Sequence, residues 1–143
     1  MIVEDYVSFE TAKLLKEKGF DEYCRTIYNA GVFCSIASLD CRWNEGYGEL
    51  IEEKQNSDFS IYDNAISAPT LQMAMKWLRE VHNLSVRPRY DEVEDEKEHL
   101  YYVWFFDILS MNPYKTLVEP IHGYSTYEEA CEAGIKYCLE KLI

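Results

Sequence analysis

Leu100–Ile108, LYYVWFFDI, decides the fold class. Leu100, Tyr102, Trp104, Phe106 and Ile108 share one side of a two-residue alternation, and Tyr101, Val103 and Phe105 the other. Aromatic and β-branched side chains at this density fit a pleated strand. Working outward, Asn112-Pro113 marks a turn, and Lys115 to Ile121 is a candidate returning strand. Upstream, the acidic stretch Asp91–Glu98 is expected to be a turn or mobile loop. Ser85 to Tyr90 then reads as a short strand, and Pro88 within it makes it an edge strand.

Helices flank this sheet. The first runs from about Phe9 to Lys18, with Ser8 as N-cap, Glu10 in the first turn and Gly19 as the left-handed stop before Phe20. The second opens at Ser67-Ala68-Pro69, follows the apolar stripe Leu71, Ala74, Leu78 and Val81, and stops at Asn83. The third opens on a capping-box pattern, Ser125-Thr126-Tyr127-Glu128, and lines one face with Tyr127, Cys131, Gly134, Ile135, Cys138 and Leu142. Between the first two helices, Arg25–Leu39 reads as extended. Asp40–Ser57 reads as a polar excursion, either a loop or a short hairpin with a helical turn around Glu49–Lys54. Asp58–Ile66 alternates again. The expectation is one α+β domain over residues 1–143: three helices packed on a small antiparallel or mixed sheet, in the order α-β(β)-α-β-β-(β)-α. No glycine-rich strand-to-helix turn points to a doubly wound nucleotide fold.

Composition narrows the function. Of 143 residues, 48% are hydrophobic and 15% aromatic, a core-forming composition. Twenty-six acids against 14 bases give a formal net charge of −12, which repels nucleic acid and anionic lipid at long range. The nearest thing to a basic cluster is Arg87 and Arg89, followed directly by acids. MIVEDYVSFE has neither the positive start nor the apolar stretch of a secretory signal, and no run reaches the ~18 apolar residues of a membrane span, so a cytoplasmic location is expected. Cys24, Cys34, Cys41, Cys131 and Cys138 are five in number and form no Cys-x-x-Cys, so free thiols acting as small apolar residues are expected. Cys24 and Cys41, in the less regular stretches, are the thiols expected to be accessible.

Three strings, Val7–Glu22 (VSFETAKLLKEKGFDE), Ile66–Asn83 (ISAPTLQMAMKWLREVHN) and Tyr124–Ile143 (YSTYEEACEAGIKYCLEKLI), cover a little over a third of the chain. They resemble a group of small uncharacterised proteins carried by phages and mobile elements of gut bacteria. That resemblance implies a genomic setting. The group has no assigned activity and supplies no catalytic residues.

No motif for chemistry emerges. The run Asp91, Glu92, Glu94, Asp95, Glu96, Glu98 fails as a calcium loop: Glu96 stands where the sharp turn needs Gly, and Tyr102 where the bidentate Glu belongs. His82, His99 and His122 share no ligand spacing with one another or with a cysteine. Gly46-Tyr47-Gly48 lacks the Lys-Ser/Thr of a phosphate loop, and no Gly-x-Ser-x-Gly elbow exists. No catalytic, cofactor or metal residue is therefore assigned. The aromatics are the unusual feature. Trp43 and Tyr47 sit in the polar excursion, and Tyr101, Val103 and Phe105 face away from the expected helical layer. Aromatics outside a core suit contact surfaces, which makes Trp43, Tyr47, Tyr101 and Phe105 the candidate protein-contact residues. The expectation is an acidic, non-enzymatic domain that binds another protein and neither nucleic acid nor membrane. Two rivals stand beside it: an enzyme with a site of scattered Cys, His and acidic residues, and a homo-oligomer joined through the aromatic second face.

Overall fold

The computed structural model describes residues 1–38, 53–60 and 63–143. They form two compact units, Met1–Thr70 and Leu71–Ile143. The fold is α+β, and the described residues form three α-helices and two three-stranded antiparallel sheets rather than the one small sheet expected.

In the first unit, α1 spans Phe9–Glu17. The Ser8 hydroxyl accepts from the Thr11 N–H at 3.2 Å, and Gly19, at φ +93°, ends the helix. The Phe20 N–H closes onto the Leu15 carbonyl at 2.9 Å, and its ring is buried. The extended stretch after it is a hairpin, not a single strand: β1 (Thr26–Asn29) and β2 (Val32–Ser35) are joined by Ala30-Gly31. Ala30 and Gly31 have φ of 51° and 80°, the both-positive geometry that matches strand twist in a two-residue turn. β3 (Ala65–Ser67) pairs on the other side of β1, giving the order β2-β1-β3.

Ile27, Ile36, Phe59 and Ala65 form a small core with Cys34 packed against it. The chain returns past it through a short 3-10 turn at Asn56–Asp58, where a strand was expected to begin. Asn56 explains the difference. Its buried amide donates to the Phe20 carbonyl at 2.8 Å and accepts from the Ser67 N–H at 2.9 Å, tying the end of α1 to β3. A buried amide with both ends satisfied holds one register where an apolar residue would not.

The second unit runs α2 (Leu71–His82), β4 (Leu84–Glu94), β5 (Leu100–Met111), β6 (Tyr114–Tyr124) and α3 (Tyr127–Tyr137), the last continued by a π-type turn at Cys138–Leu142. α2 begins four residues later than expected, because Ser67 belongs to β3. Asn83, at φ +59°, turns the chain from α2 straight into β4. The cap of α3 sits one residue later than the sequence pattern suggests. Thr126 accepts from the Glu129 N–H at 3.1 Å, and the Glu129 carboxylate reaches back to the Ser125 N–H at 2.9 Å.

The sheet is a meander in the order β4-β5-β6. Leu84, Val86, Phe106, Ile108 and Val118 lie on the face that α2 and α3 cover. Gly134 lets α3 approach closely: a Cβ there would collide with Val86 Cγ1 and press on the Phe106 ring. Cys131 and Cys138 are buried in the same layer. No helix among the described residues is long and apolar enough to cross a membrane.

Candidate functional site

The far half of the β4–β5 pair is the most unusual feature of the second unit. Half of the six acids expected in a loop are strand: Asp91, Glu92 and Glu94 belong to β4, opposite Val103, Tyr102 and Leu100. Cross-strand aromatic contact is the physical reason. Tyr90 stacks on Tyr102 with ring centroids 5.5 Å apart and leans on Trp104 at 5.1 Å, while the Tyr102 hydroxyl donates to Glu92 at 3.2 Å. The Glu92 carboxylate beside it raises the Tyr102 phenol above its ordinary value. At the tip, the Asp95 carboxylate accepts from the N–H groups of Lys97 and His99, and Glu98 takes the left-handed conformation that closes the turn.

β6 ends at Tyr124, opposite Trp104, so residues 100–103 pair with β4 alone among the described residues. α3 reaches the same level, where Tyr127 packs edge-on against Trp104 at 5.4 Å. From that level outward, residues 90–103 form a two-stranded arm, Tyr90 lying opposite Trp104. On it Tyr90 is 58% exposed, Leu100 61%, Tyr101 46% and Tyr102 59%. Tyr90, Leu100 and Tyr102 share one face of the arm and Tyr101 lies on the other, so each face presents aromatic surface to solvent.

Nearer the centre, the second face of the sheet holds a buried charge between Phe105 and Leu109. Asp107 is buried in the middle of β5, yet its carboxylate accepts from Arg87 Nε at 2.7 Å, Arg87 Nη2 at 2.6 Å and Arg89 Nη2 at 2.8 Å. Burial pushes that carboxyl up. The hydrogen bonds and charge of Arg87, with Arg89 behind them, outweigh burial and hold it below the ordinary carboxylate range. The same bonds raise the Arg87 guanidinium. Arg89 also lies over the Phe105 ring at 4.9 Å, and His122 stacks on that ring at 4.6 Å while its Nε2 sits 3.4 Å from Asp91. The arginines that came nearest to a basic patch are thus spent on Asp107.

The structure separates the candidate contact residues. Tyr101 is exposed on the arm. Phe105, on the same strand face, is buried between Arg89 and His122 and offers a partner little surface. Trp43 and Tyr47 lie outside the described residues, as does Cys41. Cys24, expected to be accessible, is buried, and burial pushes its thiol up to about 12, which leaves it protonated and poorly nucleophilic at neutral pH. Burial does the same to Cys138. No group of three or more metal-ligating side chains converges among the described residues.

Sequence reasoning missed Tyr90, Leu100 and Tyr102 as surface residues. The alternation placed Leu100 and Tyr102 on the helix-covered side of the strand and gave Tyr90 no face, and only the lengths of β6 and α3 show that the cover stops at Trp104. Comparison with protein-family models, with curated proteins and with solved structures finds no match.

Proposed function

We propose that this chain is an acidic, non-enzymatic protein-binding module whose contact element is the β4–β5 arm. One observation carries the reading: Tyr90, Leu100, Tyr101 and Tyr102 stand exposed on a hydrogen-bonded scaffold, beside six acids in residues 91–98. Tyrosines on a rigid strand pair bury much area at low entropic cost. Acids around them steer a basic partner and repel acidic ones, and the −12 charge of the chain strengthens both effects. In the phage or mobile-element setting that the sequence resembles, the partner is a host protein with a basic surface, and the outcome is its inhibition or modulation.

The test immobilises the chain and a Tyr101→Ser/Tyr102→Ser variant and passes host lysate over both. Tyr102 also stacks on Tyr90, so amide exchange along residues 90–103 checks that the variant keeps the strand pairing of the arm, and a Tyr101→Ser single variant, which leaves that stack in place, is passed in parallel. The wild type retains a basic protein that the variant does not, and roughly 0.5 M salt, at which the screening length shrinks to a few Å, releases it. Identical retention by both chains contradicts the reading.

A further inference from the structure

The arm has two edges of opposite character. Along β4 the edge carries Arg87, Pro88, Arg89, Asp91, Glu92 and Glu94. Charges and proline are how natural sheets blunt an open edge against strand pairing. β5 beyond Trp104 reads Leu100, Tyr101, Tyr102, Val103, with no charge and no proline. That stretch has no partner on its outer side among the described residues. In an antiparallel ladder alternate residues turn their N–H and C=O groups to opposite sides, so two of these four residues present backbone donors and acceptors outward.

We infer that the outer edge of β5 at Leu100–Val103 is a strand-addition site for an extended basic segment of a protein partner. The inference rests on the protein-binding reading of the arm and supplies its mode and the chemistry of the occupant. A strand laid there continues the place β6 holds lower in the sheet, and its side chains alternate over Tyr101 on one face and Tyr102 on the other. Both rings are open to cations, and the same sheet already holds Arg89 over Phe105 at 4.9 Å. Residues 91–98 carry six acids and one lysine, so the arm attracts lysine and arginine and repels a second arm of its own kind. Backbone bonds then give affinity and the alternate side chains give selectivity.

The experiment uses the full chain and an alternating Arg-Val octapeptide with blocked ends. Two twins carry N-methyl groups on the backbone nitrogens of all Arg or of all Val residues. Charge is unchanged, but each twin blocks the ladder on one side of the strand. The parent peptide binds, slows amide exchange within Leu100–Val103, and loses about tenfold or more in affinity in one twin while the other holds within about threefold, as the loss of two or more ladder bonds requires. If both twins bind like the parent, and binding falls in the Tyr101→Ser/Tyr102→Ser variant, strand addition is overturned while the arm remains a basic-protein contact. If the parent binds the variant equally well and protects other residues, both readings fall. Absence of parent binding, or a dimer by light scattering with Leu100–Val103 protected, overturns the proposed occupant.

Discussion

Replacing Asp107 by Asn tests how the second sheet is held together. The carboxylate side chain is 4% exposed and takes three short charge-assisted bonds, while Arg87 and Arg89 keep 36% and 50% of their side chains in solvent. Breaking a fully buried ion pair costs about 3–5 kcal/mol. Here the orphaned guanidiniums recover water by turning outward, which brings the expected loss to about 2–3 kcal/mol. Urea unfolding at pH 7 reads it as a lower midpoint at unchanged slope. The pH dependence follows from the direction of the shift. The folded carboxyl titrates below its ordinary value. Its contribution is therefore complete above the unfolded value of about 3.9 and fades as pH falls through the folded one. The gap between wild type and variant is widest near neutrality and narrows below about pH 4. A gap under about 0.5 kcal/mol at pH 7, or one that does not narrow in acid, refutes the assignment of Asp107 as the anchor of both arginines.

Other substitutions probe separate parts of the account. Gly134→Ala gains about 1 kcal/mol of helix propensity but overpacks Val86 and Phe106 at about 1–3 kcal/mol, so the net change is a loss. Val86→Ala in the same chain recovers part of it, whereas additive losses contradict the close approach. Asn56→Ala leaves the Phe20 carbonyl and the Ser67 N–H without that partner and costs about 1–3 kcal/mol in chemical denaturation; an unchanged midpoint argues against the tie. Native-state alkylation at pH 8, read by peptide mass spectrometry, leaves Cys24 and Cys138 unmodified until the chain unfolds. Labelling at the unfolded rate contradicts their burial.

What the sequence made legible was local. Ser8, Gly19 and Asn83 act through their own backbone angles and hydroxyl or amide groups, so a short window is enough to place the helix ends. LYYVWFFDI makes up the first nine residues of β5, and its aromatic and β-branched content marks a strand without reference to any partner. The hidden parts depend on partners far along the chain. The Ala30-Gly31 turn lacks the usual Asn-Gly signal, so one long strand was the natural reading. Asp107 meets Arg87 twenty residues away, and Asn56 meets Phe20 thirty-six away. The acids of β4 read as a loop because their own repulsion is visible in sequence, whereas the Tyr90–Tyr102 stack that overrides it is a cross-strand contact. The division of the strands between two sheets has the same origin, since pairing is not written in any one segment. The exposure of Tyr101 was legible from alternation alone, whereas the burial of Phe105 needed Arg89 and His122 to be placed.

The most direct test puts a photo-crosslinking amino acid at position 101 on the arm and, separately, at Lys76 on the exposed side of α2, and irradiates each in host lysate. The account predicts one dominant adduct, to a basic protein, from position 101 only, vanishing at high salt. No adduct from position 101, or the same adducts from both positions, contradicts the claim that the β4–β5 arm is where this protein attaches to its partner.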